Sequence, residues 1–222
     1  MFRIKVAALC MCVLALGMAA SLNNSVDMAG LKSDKRATRE KSYDAAIQDR
    51  ANTIAQLVAL AKVPAGSETT TECMVDGKVA QLKWAYHEPK QLATRLLGDM
   101  RAEEAVGVLA ENLEYFSPNQ TTRSGDEMGP FEGPGWFPAV ESLIKIGIPS
   151  VGPVVDKLGG YGQDCLGRRL CMVVLKGVLG PRLANMRLEM AVEDATSEAA
   201  RANLKAALSQ SEADREVQDS RR

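Results

Sequence analysis

Apolar residues along this chain recur at the spacing of short helices. Tyr43, Ala46, Ile47, Ile54, Leu57, Val58 and Ala61 share one face, which predicts an amphipathic helix over 43–62. Pro64 and Gly66 end it. The stretch 73–86 admits two readings. Asp76-Gly77 between apolar residues is a hairpin-turn signal. Lys78 to Tyr86 also reads as a helix leading into the next element, and the helical reading is preferred. Beyond residue 88 no segment alternates like a strand. Leu92, Leu96 and Leu97 make one face, closed by Gly98. Ala105, Val106, Leu109, Leu113 and Phe116 make a second. Val140, Leu143 and Ile144, closed by Gly147, make a third. Val151, Val154, Val155 and Leu158 follow, closed by Gly159-Gly160. Leu170, Val173, Val174 and Val178 come next, closed by Gly180. Leu183, Met186 and Met190, then Ala200, Leu204, Ala207 and Leu208, complete the series. Each set is the buried stripe expected of a short helix. Pro89, Pro138, Pro149 and Pro181 sit near the expected helix starts, where a missing N–H costs nothing. The glycines sit near the ends, where a left-handed residue is cheap.

The punctuation repeats. Leu97-Gly98, Ile146-Gly147 and Leu179-Gly180 each close one helix and precede another. Gly147 and Gly180 are 33 residues apart. Gly98 and Gly147 are further apart, and that interval holds a Pro/Gly-rich insertion, 117–135. Discounting it leaves a period in the range of helical solenoids. Two stretches resemble the HEAT-repeat family: Leu96-Leu97-Gly98 with Arg101-Ala102, Ala105-Val106 and Leu109; and Ala139-Val140, Leu143-Ile144, Ile146-Gly147, Pro149 and Val151. They are similar to the short HEAT-like repeats first grouped with phycobilisome lyases. The layout as a whole resembles secreted bacterial HEAT-repeat proteins of unassigned activity, over residues 88–208. The resemblance implies a stack of antiparallel helix pairs used for protein binding. It specifies packing positions, not catalytic ones. The insertion and the helix 43–62 depart from the repeat pattern.

The expected fold is therefore all-α: a HEAT-like α-solenoid of about three helix pairs with flanking capping helices. One pair cannot bury its stripe alone, whereas stacked pairs form a continuous core. The expected organisation is a signal peptide at 1–20, a flexible leader at 21–41 and an N-terminal helical region at 42–88. A repeat domain follows at 89–208, with the insertion at 117–135 and a disordered tail at 209–222.

Residues 1–20 change the picture of where the chain goes. Arg3 and Lys5 precede an uncharged run from Val6 to Ala20 that ends in small residues. That is a secretory signal pattern, and the run is too short to span a bilayer. Leu9 before Cys10 argues against a lipoprotein site. Cleavage after Ala19 or Ala20 leaves 25 basic against 28 acidic residues. A net charge of −3 offers no electrostatic case for nucleic acid. The expected location is secreted or periplasmic, with a mature chain that does not span the membrane.

Candidate chemistry is sparse. Cleavage also leaves Cys73, Cys165 and Cys171. One disulfide plus a thiol, or three thiols, both fit. Pairing Cys165 with Cys171 needs a helix break near Gly167. No CxxC occurs, and His87 is the only histidine, so zinc, thioredoxin-like and most triad chemistries have no support. His87-Glu88 lacks a nucleophile. Glu103-Glu104 fits a helix start. Asp126-Glu127 lacks calcium-loop spacing. Arg168-Arg169 and the group Arg36, Arg39 and Lys41 read as solvated faces. The insertion is the informative segment, because long loops in compact helical domains are uncommon and often functional. Met128, Phe131, Trp136 and Phe137 are the candidate partner-binding residues, as aromatic anchors. The alternative is that Phe131 and Trp136 fold back over the gap between repeats. No catalytic residue, metal or cofactor is expected. The function expected is an exported, non-catalytic scaffold or adaptor for a protein partner of unknown identity. A structural component of a cell-envelope assembly is the alternative, followed by a lyase or chromophore-handling enzyme.

Overall fold

A computed structural model describes residues 26–64, 69–75, 78–84, 88–116, 137–162 and 165–220 of the 222-residue chain. The chain divides into two compact units, Met1–Leu57 and Val58–Arg222.

The first unit holds α1 (Met28–Leu31), α2 (Arg36–Gln48) and the first turns of α3 (Arg50–Lys62). Asp27 caps α1. Its Oδ1 accepts from the Gly30 N–H at 2.8 Å and its Oδ2 from the Ser42 hydroxyl at 2.8 Å, which ties α1 to α2. The Gly30 amide, then the Ser42 hydroxyl, hold the Asp27 carboxyl below its ordinary pKa. A side chain at Gly30 would collide with both the Ser42 hydroxyl and the Asp27 carboxylate. The leader expected to be flexible up to residue 41 is therefore helical over most of 28–41. The single helix expected over 43–62 is also divided. Asp49 leaves helical geometry at φ −110° and ψ 50°, and α2 turns Tyr43 and Ile47 outward, 38% and 48% exposed. Two apolar positions on an otherwise polar helix are too narrow a stripe to bury. In α3 the expected face is kept: Ile54, Leu57 and Ala61 are buried.

After the last turn of α3, the second unit holds an antiparallel hairpin, β1 (Thr69–Val75) and β2 (Lys78–Trp84). Thr69 pairs with Trp84 and Val75 with Lys78, so Asp76 and Gly77 are the two residues between the strands. The helix preferred for 78–86 is thus a strand over 78–84. Three consecutive β-branched threonines, Thr69 to Thr71, and an Asp-Gly pair outweighed the weak helical spacing. His87 lies outside the described residues.

The rest is helical. The elements are α4 (Glu88–Asp99), α5 (Val106–Glu111, entered through a 3-10 turn at Glu103–Ala105) and α6 (Pro138–Ile146). Then come α7 (Val151–Gly160, entered through a 3-10 turn at Ile148–Ser150), α8 (Leu166–Leu179), α9 (Pro181–Asp194) and α10 (Glu198–Ser220). They pack in two rows: α4, α6, α8 and α9 follow one another in one row, and α5, α7 and α10 in the other. Contacts of α5 with α6, α7 with α8 and α9 with α10 join the rows. Leu97, Leu109, Leu143, Leu158, Leu175 and Leu188 are fully buried among them. The architecture is an all-α, solenoid-like succession of packed helices, with the hairpin as its one departure among the described residues.

The expected punctuation is present. Pro138 and Pro181 open α6 and α9, Pro89 is in the first turn of α4, and Pro149 is in the 3-10 turn before α7. Gly147 (φ +85°) closes α6 and Gly180 (φ +77°) closes α8. Gly98 does something else. It lies inside α4, where a Cβ would stand 2.6 Å from Ser142 Cα, Cβ and Oγ on α6. Its missing side chain is what lets the two helices approach. The left-handed residue after α4 is Arg101, at φ +48°. Arg101 N–H bonds the Gly98 carbonyl at 2.9 Å and Ala102 N–H bonds the Leu97 carbonyl at 2.9 Å. Those two bonds define a Schellman closure, with buried Ala102 against buried Leu97. The last helix runs past its expected end, to Ser220, because Ser211 is buried and its hydroxyl donates to Asn185 Oδ1 at 2.8 Å.

Candidate functional site

The insertion has a buried aromatic root. It leaves the fold at Phe116 and returns at Phe137, and those two rings lie 5.6 Å apart at an interplanar angle of 57°. Phe116 is 3% exposed and Phe137 fully buried. Phe137 is also the residue that precedes Pro138 at the start of α6, in extended conformation. It belongs to the core and is not a surface anchor, a correction to its expected role. Aromatic edge and face contacts of this kind contribute about 0.5–1.5 kcal/mol beyond burial. Beside this root, Lys90 of α4 is almost wholly buried. Its Nζ donates to the Val63 carbonyl at 2.9 Å and lies 4.9 Å from the centre of the Tyr115 ring. Burial holds its pKa below the ordinary lysine value. Lys90 therefore fastens the chain just before the insertion to the chain after α3. Met128, Phe131 and Trp136 lie outside the described residues.

Two further side-chain clusters were candidates for chemistry. The first is a shallow notch of about 210 Å³ lined by Gly98, Asp99, Arg101 and Lys145. Lys145 Nζ bonds Asp99 Oδ1 at 2.8 Å and Glu141 Oε1 at 2.8 Å. Burial alone would lower its pKa, but the bonds and charges of Asp99 and Glu141 outweigh that and leave it raised. A cation already held by two carboxylates bridges α4 and α6 and is not an anion site.

The second cluster surrounds the start of α8. Tyr161 hydrogen-bonds Glu114, and its phenol pKa is raised by burial first and by the Glu114 charge second. Gly167 makes room for it, since a Cβ there would overlap the Tyr161 ring and Glu114. Lys157 Nζ sits 5.8 Å from the centre of the same ring. Arg168 is buried and donates to the Tyr161 carbonyl at 3.4 Å; the expectation of a solvated face at Arg168 is corrected. Gly167 serves packing rather than a break, and α8 runs unbroken through Cys171. Cys165, just before α8, and Cys171 are both thiols. Burial pushes the Cys171 thiol up to about 12, which makes it inert as a nucleophile at neutral pH. Among the described residues no group of three or more His, Cys, Asp or Glu side chains is arranged to hold a metal ion. No described helix is long and apolar enough to cross a membrane.

The fold and these sites together define a class: an all-α stacked-helix chain in which polar side-chain contacts join one helix to the next. No family model, curated protein or solved structure matches the chain. Two features escaped the sequence. Lys90 shares a buried helical stripe with Ala93, Thr94 and Leu97, a spacing visible only once small and polar residues are counted as core. The stripe Leu183, Met186 and Met190 of α9 points outward, at 54%, 49% and 57% exposure.

Proposed function

We propose that this chain is an exported, non-catalytic protein-binding module, a scaffold or adaptor that engages its partner through its stacked helices and the 117–135 insertion. The observation that carries the reading is the root of the insertion. A 20-residue excursion, 117–136, begins and ends at one buried aromatic pair on a packed helical frame. Binding segments on scaffold folds are commonly carried between buried positions of this kind. The HEAT-like punctuation of residues 88–208 supports the same reading, because helical-repeat rows offer extended surfaces. Export rests on the charged, apolar and small-residue succession of residues 1–20.

Affinity capture from cell-envelope extract tests it, with the exported chain as bait beside a version whose residues 118–135 are replaced by a short Gly/Ser link. Equal thermal unfolding of the two baits shows that the frame survives. A protein retained by the full bait and lost with the shortened one places binding on the insertion. Retention by both moves it to the helix rows. No retained protein with either bait, or turnover of a substrate by the purified chain, overturns the reading.

A further inference from the structure

The outward face of α9 carries an exposed apolar stripe. Ala184, Asn185 and Leu188 bury one side of the helix, and the Asn185–Ser211 hydrogen bond fixes that side against α10. Leu183, Met186 and Met190 then stand outward at positions i, i+3 and i+7, each about half exposed. That is the seam spacing of two packed helices. Single exposed apolar residues are ordinary, whereas a continuous stripe of them marks an interaction surface.

Charge says which partner fits. One edge of the stripe carries Arg182 in the first turn and Glu189 and Glu193 in the last two, all exposed. The edge is thus basic at its start and acidic at its end. We infer that two copies pair antiparallel through α9, about a two-fold axis near Met186. In that arrangement Leu183 faces Met190 of the second copy, and Arg182 falls between Glu189 and Glu193 of the second copy. A parallel pairing about a two-fold sets Arg182 near Arg187 and Glu189 near Asp194 of the second copy, like charge against like in both cases. The antiparallel pairing also opposes the two helix dipoles favourably. Each patch meets its own copy, so the contact is isologous and closes at two chains instead of growing into an array. The pairing does not depend on what the insertion binds.

Sedimentation equilibrium and light scattering of the purified chain test the pairing. A dimer is expected at tens of micromolar. Met186→Lys places two charges in the seam and weakens the dimer roughly a hundredfold, with thermal unfolding and helical signal of the monomer kept. Arg182→Glu also weakens it, and Arg182→Glu/Glu189→Arg in the same chain restores it. The exposed charge variants keep the test informative if Met186→Lys fails to fold. A monomer at all these concentrations overturns the inference, as does a dimer indifferent to Met186→Lys. Loss of the dimer without recovery in the double variant overturns the antiparallel pairing. An unchanged monomer that associates with vesicles or with another protein through the same face assigns the face to that occupant instead.

Discussion

Replacing Gly98 by Ala probes a close approach of two helices, α4 and α6. In an open helical position Gly→Ala gains about 1 kcal/mol. Here the new methyl would stand 2.6 Å from Ser142 Cα, Cβ and Oγ, well inside the roughly 3.5–4.0 Å of carbon–carbon contact. One of those atoms is backbone, so rotation of a side chain cannot relieve the overlap. α4 and α6 must move apart. Overpacking of this kind costs about 1–3 kcal/mol. The same movement lengthens the buried bond from the Ser142 hydroxyl to the Thr94 carbonyl, now 2.8 Å, at a further cost of about 1 kcal/mol. The propensity gain offsets about one of these, which leaves a net loss of about 1–3 kcal/mol. For a chain of this size that is a fall in Tm of roughly 2–12 °C. Urea unfolding followed by far-UV circular dichroism reads it directly. Ser142→Gly beside Gly98→Ala removes the overlaps with Cβ and Oγ and leaves only the one with Cα, so the pair costs less than the sum of the single changes, a coupling that a double-mutant cycle isolates. A rise in stability of about 1 kcal/mol with Gly98→Ala would refute the reasoning. Gly98 would then be an ordinary helix residue with no neighbour against it.

Two other substitutions and one titration follow from the same structure. Arg101→Gly relieves a left-handed L-residue, worth about 1–2 kcal/mol, against a conformational-entropy cost for glycine of about 0.5–1 kcal/mol. The expected result is a gain of up to about 1.5 kcal/mol in unfolding free energy, and a clear loss would show that Arg101 side-chain contacts outweigh the strain. Stability falls above pH 9, because the folded state raises the Cys171 thiol from 9.0 to about 12. The unfolded chain releases that proton first, so the contribution is full below pH 9 and is lost between pH 9 and about 12, at no more than about 1.4 kcal/mol per pH unit. Cys171→Ala flattens that share of the slope in pH-dependent urea unfolding, and an unchanged slope counts against a buried thiol.

The parts of the fold legible in the sequence were those marked by large apolar residues and by backbone punctuation. Leu109, Leu113 and Phe116 are buried as their spacing requires, as are Val154, Val155 and Leu158. Pro138, Pro181, Gly147 and Gly180 mark helix ends as expected, because each answers to a local constraint on φ or on a backbone donor. Two helices were read out of phase, α4 by about one position and α9 by nearly half a turn. In α4 the expected face was Leu92, Leu96 and Leu97, whereas Ala93, Thr94 and Leu97 are fully buried. In α9 it was Leu183, Met186 and Met190, whereas Ala184, Asn185, Leu188 and Ala191 face inward. One position is about 100° of rotation, enough to exchange a buried edge for an exposed one.

Both slips have the same cause. A tight helix contact selects small residues, and small residues carry little weight in a hydrophobic pattern. Gly98 against Ser142 shows the cost of a larger side chain at such a contact. Where α9 meets α10, the paired groups are Asn185 and Ser211, which a pattern of apolar residues assigns to solvent. The large residues excluded from those contacts have to go elsewhere. On α4 the displaced leucines end half-buried at the margin. On α9, which ends its row, no further helix of the described chain follows, and Leu183, Met186 and Met190 remain exposed. The misread stripe and the proposed pairing face are thus one feature. The stripe was expected to be buried and is exposed; its spacing suits a helix–helix seam, and the proposed pairing would supply the facing helix from a second copy.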